Sequence, residues 1–266
     1  MKHSNNPIVE DVIKRFKTVH AISKIFVTGN SAQKGIIISG DAGTGKSHYV
    51  QEAFIDTETT ERVDYNKSRS FTAPAFYFKL WSNRNAGDVV VFDDCNLAGL
   101  TGNDFKSVVD MLKGATEMTK GERIIGWERA SQNQRFREHN VPSSFDFQGS
   151  IIWITNYNFD QLKKKFGPHW EAIQSRFIQV PIYLNEQEKL MYTLYLLEEI
   201  DMLGENCQTK EGGYTQDIKD ATCKYLRDNF KNIPNVTPRV AAKIADTMEQ
   251  FPETWEMLIE NQNIFA

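Results

Sequence analysis

The sequence is poor in cysteine and contains no long apolar run. Its three cysteines, Cys95, Cys207 and Cys223, are widely spaced, which excludes a disulfide framework or a zinc site and favours a reducing compartment. No stretch approaches the roughly 20 apolar residues of a membrane-spanning helix. Residues 1–7 have no apolar segment typical of a signal peptide. We therefore expect a cytoplasmic protein that has no membrane partner.

An excess of basic residues is also missing. The 266 residues include 31 Lys and Arg against 35 Asp and Glu, a formal net charge of −4. This balance argues against a globally basic nucleic-acid-binding protein, although a local basic patch remains compatible with it. The apolar fraction of 40% and the charged fraction of 25% are typical of a globular protein.

The apolar pattern changes near residue 184. Before it, short apolar runs typical of buried strands alternate with helical segments, and after it every apolar segment has helical spacing. Pro181 indicates that the last strand, residues 178–182, lies at a sheet edge. We expect an α/β domain over residues 1–183 and an all-helical domain over residues 184–266.

Residues 40–47 read Gly-Asp-Ala-Gly-Thr-Gly-Lys-Ser, the pattern of a phosphate-binding loop. An apolar run, residues 36–38, precedes it and a helical pattern follows. Glycines let the backbone approach an anion closely, and the amide groups at the helix start point towards it. Lys46 would reach the outer phosphates of ATP, and Ser47 would bind Mg²⁺. The predicted cofactor-binding residues are Gly40, Asp41, Ala42, Gly43, Thr44, Gly45, Lys46, Ser47 and His48.

Two further strands end in polar residues. Four apolar residues, 89–92, precede Asp93 and Asp94, the Walker B pattern, which brings a carboxylate to the metal side of the phosphate loop. We expect Asp93 to hold Mg²⁺ through water and Asp94 to polarise the attacking water. Residues 149–156 indicate a third buried strand that ends in Asn156, whose amide can both donate and accept hydrogen bonds and so orient phosphate and water.

The order of these motifs resembles that of the AAA+ ATPases from about residue 20 onward. The resemblance implies a three-layer αβα core with a parallel five-stranded sheet, followed by a small helical lid. It also implies that Asn156 is sensor 1, that Arg176 is a finger reaching a neighbouring subunit, and that Arg239 is sensor 2. Alternatively, Arg176 is a solvated charge at a helix end and Arg239 simply follows Pro238 at a helix start. The family usually has Asp-Glu where this chain has Asp93-Asp94, and the shorter carboxylate puts fast hydrolysis in doubt.

The segment around residues 118–148 is an insertion between the post-Walker B helix and the sensor 1 strand. Its residues 123–129 and 134–139 indicate a β-hairpin, similar to the pre-sensor-1 hairpin of one AAA+ branch. Aromatic and basic residues alternate in it, a composition that suits single-stranded DNA or RNA. Alternatively, it is a mixed-charge hairpin with its tryptophan packed on the core. The residues concerned are Lys120, Arg123, Trp127, Arg129, Arg135, Phe136 and Arg137.

Several functions are compatible with this sequence. The resemblance implies a Mg²⁺-dependent ATPase that assembles with copies of itself, usually as a hexameric ring. The short chain is similar to the compact ATPases of phages and mobile elements, which would place it in a host cytoplasm. One hypothesis is a helicase, helicase loader, replication or packaging factor acting on nucleic acid, and the alternative is a protein-remodelling or assembly ATPase. A nucleotide-binding scaffold and a small kinase are further alternatives, although a kinase would not need the sensor strand, finger and lid together.

Overall fold

The computed structural model describes residues 3–29, 31–67, 71–118, 121–128, 134–205 and 207–261. The chain forms two compact units. The α/β unit comprises Lys17–Gly40 and Lys46–Ile182, and the helical unit comprises Met1–Phe16, Asp41–Gly45 and Tyr183–Ala266. In the described ranges, none of the helices has both the length and the apolar character needed to cross a membrane.

A five-stranded parallel sheet organises the α/β unit, as predicted. Its spatial order is β2-β3-β6-β1-β7, with β1 between β6 and β7 and β3 on the other side of β6. Every residue of β1, β3 and β6 is buried, which explains their near-continuous apolar sequences. The predicted edge position of the strand with Pro181 is confirmed. The strands are β1 (Gly35–Gly40), β2 (Val63–Asn66), β3 (Val89–Asp93), β6 (Ser150–Thr155) and β7 (Ile178–Ile182).

Helices pack on this sheet through a core that is rich in aromatic side chains. Phe76 of α3 stacks on Phe92 of β3 with ring centroids 4.9 Å apart, and Trp153 of β6 meets Phe166 of α6 edge-on at 5.7 Å. The aromatic residues of α3 therefore serve mainly as core. The helices are α1 (Pro7–Val27), α2 (Lys46–Ile55), α3 (Ala73–Ser82), α4 (Gly102–Ala115), α6 (Phe159–Phe166) and α7 (Trp170–Gln174), and α1 begins in the residues of the helical unit.

The predicted hairpin is present, but its second strand was placed wrongly. Short antiparallel strands β4 (Ile124–Gly126) and β5 (Ser144–Asp146) pair with each other, while Gln134–Glu138 forms helix α5. Gln, Arg and Glu favour helix, and this segment has no β-branched residue. Phe136 is its one apolar side chain and lies buried against Tyr77 at 5.8 Å between ring centroids.

The helical unit has its own apolar core. Leu194 of α8, Leu226 of α9 and Ile244 of α10 lie buried in one cluster. Asn185 begins α8 with a reciprocal capping box involving Glu188. The helices predicted after residue 184 are confirmed as α8 (Glu186–Glu198), α9 (Gln216–Asn229), α10 (Pro238–Gln250) and α11 (Trp255–Asn261). The domain boundary that we predicted at residue 184 remains a proposal.

Candidate functional site

The glycine-rich loop between β1 and α2 has a backbone that requires glycine. Gly43 and Gly45 have φ angles of 75° and 106°, a region that side chains with a Cβ atom rarely adopt. Thr44 is buried, and its hydroxyl group donates to the carbonyl oxygen of Asp41 at 3.0 Å. The loop is thus held in one conformation by its own residues.

Within the helical unit, residues of α8 and α10 lie against this loop. A Cβ atom on Gly43 would lie 3.2 Å from Oγ1 of Thr237 and 3.4 Å from Cβ of Arg239. Thr237 is the N-cap of α10, where its side chain accepts a hydrogen bond from the amide of Val240. The predicted sensor 2 arginine therefore lies beside the loop, at the start of α10. Its role remains a prediction.

An ion pair ties the same loop to α8. The ammonium group of Lys189 lies 2.8 Å from a carboxylate oxygen of Asp41, and it donates to the side chain of Asn235 at 2.8 Å. The Lys189 side chain is only 15% exposed, so solvent screens this pair less than an exposed one.

In the α/β unit, three predicted site residues form a hydrogen-bonded series. The ammonium group of Lys46 donates to the carbonyl oxygen of Gly40 at 2.8 Å and to Oδ1 of Asn156 at 3.1 Å. Asn156 donates from Nδ2 to Oδ1 of Asp94 at 2.9 Å. The amide of Asn156 thus links the lysine of the first motif to the second acid of the Walker B motif. Such an arrangement lets the Asn156 side chain respond to changes at Lys46 and at Asp94.

Asp94 has an uncommon backbone conformation for a residue other than glycine. Its φ angle is 53°, and its amide donates to the carbonyl oxygen of Ile154 on β6 at 3.0 Å. Aspartate tolerates this left-handed region better than most residues. The bond to β6 fixes the chain just after β3, and so holds the Asp94 carboxylate near Asn156.

Asp93, the other acid, is buried at the end of β3 and accepts a hydrogen bond at Oδ2 from the hydroxyl group of Tyr65, 2.8 Å away. Burial and the charge of Asp93 raise the pKa of the Tyr65 phenol. The phenol therefore keeps its proton and acts as the donor. The sequence analysis assigned Tyr65 no role, because Tyr65 belongs to none of the motifs.

The residues present fit a nucleotide and its magnesium ion. The positive φ angles of Gly43 and Gly45 allow a close approach of phosphate to the loop backbone. The carboxylate of Asp93 and the hydroxyl group of Ser47 are oxygen donors of the type that Mg²⁺ prefers. Ser47 is half-buried in the first turn of α2. The chemistry of these donors suits a hard cation bound partly by phosphate oxygens.

Other predicted residues lie in different surroundings. Arg176 donates from Nε and a terminal nitrogen to Oε2 of Glu117, at 3.0 and 2.8 Å, and donates to the carbonyl oxygen of Ala172 at 2.9 Å. Among the described residues it bonds to none of the Lys46, Asn156 and Asp94 series. His48 is exposed, and its ring meets that of Tyr49 edge-on. No geometry here assigns His48 a role.

Comparison with known proteins gives similarity in structure alone. Neither a protein-family model nor a curated protein matches the sequence. A RuvB mutant from Thermotoga maritima aligns with 92% of this chain and 64% of its own at 14% identity, with a TM-score of 0.49. Domain III of the Thermotoga maritima replication initiation protein DnaA aligns over 90% of this chain and 84% of its own, at 14% identity and with a TM-score of 0.44. NtrX from Brucella abortus in complex with ATP aligns over 93% of this chain and 62% of its own, at 11% identity and with a TM-score of 0.45.

This chain thus spans about 64% of the length of that RuvB, and identities of this size speak to fold alone. The topology of the chain itself is more informative. The phosphate loop lies at the end of β1, the two acids at the end of β3 and Asn156 just after β6, and these are three adjacent parallel strands in the order β3-β6-β1. A helical unit follows in sequence. This is the architecture that the resemblance to the AAA+ ATPases implies, and the predicted fold is therefore confirmed.

Proposed function

We propose that this chain is a Mg²⁺-dependent ATP hydrolase of the AAA+ type. The single observation that carries the proposal is the hydrogen-bonded series from Lys46 through Asn156 to Asp94, with Asp93 next to it in sequence. An isolated glycine-rich turn would not need these side chains to converge. Their convergence supports a site that binds phosphate and activates water.

Each residue has a distinct task in this proposal. The loop amides and Lys46 bind the phosphates, and their positive charge stabilises the charge that develops on the transferred group. Ser47 and Asp93 hold Mg²⁺, which when bound neutralises phosphate charge. Asp94 accepts a hydrogen bond from the attacking water and orients it, and Asn156 keeps Asp94 in place. Arg239 lies beside Gly43 and is positioned to contact bound nucleotide.

Asp94→Asn is the variant that tests this assignment. The amide keeps the shape of the carboxylate but cannot accept a proton, so we expect turnover to fall about a hundredfold. ATP affinity should stay within about threefold of the wild type, because the loop and Lys46 are intact. Phosphate release and equilibrium binding of a fluorescent ATP analogue provide the two measurements. Asp160→Asn, at an exposed position of α6, is the matched control. Equal turnover in both variants would remove Asp94 from the mechanism.

We further propose that the active form is a homo-oligomer, a hexameric ring, in which Arg176 acts on the nucleotide of a neighbouring subunit. The contacts of Arg176 with Glu117 and Ala172 support this, since they leave it outside the phosphate-binding series of its own chain. Its side chain is 25% exposed and that of Glu117 is 50% exposed. Partly exposed pairs of this kind contribute only about 0–1 kcal/mol. Release of Arg176 towards a neighbour would therefore cost little.

Nucleic acid is our proposed substrate, although the structure removes three of the residues that we predicted to contact it. Trp127 packs on the aromatic core, Phe136 is buried, and the buried Arg123 donates to the backbone oxygen of Phe147 and the side chain of Gln148. These three are therefore not free to stack on bases or pair with phosphates. Arg137 is exposed, whereas Lys120, Arg129 and the side chain of Arg135 lie outside the described residues. We therefore propose that these four basic residues bind nucleic acid by pairing with its phosphates.

Salt dependence is the corresponding prediction. If four basic residues each contact a phosphate, the logarithm of the binding constant for single-stranded DNA should fall against the logarithm of salt concentration with a slope of about −3. Arg137→Glu should make the slope shallower by about one. Fluorescence anisotropy of a labelled oligonucleotide from about 50 mM salt upward measures both. Absence of binding at 50 mM would overturn the nucleic-acid proposal and favour the alternative, a protein-remodelling ATPase.

A further inference from the structure

One phenol group in the α/β unit contacts Asp93, a residue that we propose as a metal ligand. Tyr65 is on the edge strand β2, which pairs with β3 so that Tyr65 is opposite Val91. Its hydroxyl group donates to Oδ2 of Asp93 at 2.8 Å. The phenol therefore connects the edge strand β2 with the end of β3.

The two oxygens of Asp93 differ because of this contact. Oδ2 is held by Tyr65, whereas Oδ1 has no hydrogen-bond partner among the described residues. A hydrogen bond to a charged group is stronger and more directional than one between neutral groups. The bond thus selects one orientation of the carboxylate, in which Oδ1 is left to a metal ion or its water.

We propose that Tyr65 is a positioning residue for Mg²⁺: its hydroxyl group fixes the Asp93 carboxylate so that the ion is bound without reorganisation of this ligand. This inference rests on the proposed ATPase function. It differs from a packing role because the ring alone would fill the space beside β3. The hydroxyl group is the part that acts on the metal ligand.

Tyr65→Phe separates these roles, since it removes the hydroxyl group and keeps the ring. With a fluorescent ATP analogue as the probe, we expect an unchanged affinity in EDTA. We expect the Mg²⁺ concentration that gives half of the metal-dependent gain in affinity to rise about tenfold, the size of effect of one hydrogen bond to a charged group. Half-maximal turnover should shift to higher Mg²⁺ by a similar factor, while KM for ATP at saturating Mg²⁺ stays close to that of the wild type.

Tyr225→Phe is the matched control, because Tyr225 is also half-buried and its ring meets Trp255 in the helical unit. It should leave the Mg²⁺ dependence unchanged. A Tyr65→Phe protein with a lower melting temperature but the Mg²⁺ dependence of the wild type would overturn the proposal and leave Tyr65 as a packing residue. If the wild type itself shows no Mg²⁺-dependent binding of the ATP analogue, the proposed function fails, and this inference fails with it.

Discussion

Replacing Lys46 with alanine is expected to lower ATP turnover about a thousandfold, because its ammonium group is the positive charge with which the loop motif stabilises the outer phosphates. Lys46 is buried, and its donors are directed to Gly40 and Asn156. Removal of the side chain also leaves the Asn156 amide without its lysine partner. Loss of the charge and loss of this hydrogen bond both lower turnover, and loss of the charge also weakens ATP binding.

Phosphate release and binding of a fluorescent ATP analogue measure these two losses in the same preparation. Lys163→Ala is the matched control, since Lys163 is an exposed residue of α6. A Lys46→Ala protein that melts at a similar temperature and has wild-type turnover would show that this loop is only a structural turn. Loss of turnover with intact ATP binding would indicate that Lys46 acts mainly in the transition state.

Arg176→Ala is expected to reduce turnover by ~10³-fold or more, within the range found for arginine fingers supplied by a neighbouring molecule. The physical reason is the loss of a guanidinium charge at the transferred phosphoryl group. ATP affinity should change little, because Arg176 lies with Glu117 and Ala172 in its own chain. Turnover of the wild type should rise with protein concentration as subunits assemble.

A mixture of two inactive variants provides the decisive form of this experiment. Lys46→Ala subunits retain Arg176, and Arg176→Ala subunits retain the phosphate loop, so an equal mixture should recover part of the wild-type rate. Arg227→Ala, at an exposed position of α9 where the arginine pairs with Glu198, serves as the control arginine. If turnover is independent of protein concentration and Arg176→Ala equals the control, then Arg176 is a surface charge paired with Glu117 and the ring mechanism is wrong.

Much of the fold was predictable because each signal was local. Apolar runs of three or four residues predicted the buried strands. The start of α3 is encoded just as locally, by Thr72 and Pro74, and the Thr72 side chain accepts a hydrogen bond from the amide of Ala75. The hairpin was only half predicted. Its return strand, β5, is three residues long with one buried side chain, and such a short element leaves almost no periodic signal.

The candidate site was predictable where a residue lies in a motif or ends a strand. Tyr65, Glu117 and Lys189 had no such signal, because their partners are distant in sequence. Tyr65 is 28 residues from Asp93, and Glu117 is 59 residues from Arg176. Only the folded backbone brings these pairs together, so composition and spacing cannot reveal them.

The proline in β7 also affects how copies of this chain meet. Pro181 pairs with Ser39 in register at the border of the sheet, and it has no amide hydrogen to offer a further strand. The opposite border is β2, only four residues long. Short and proline-containing borders oppose sheet extension from one molecule to the next, which is the usual start of amyloid-like stacking. In the homo-oligomer that we propose, many copies of the chain lie close together, and these borders lower the risk that the copies form fibres.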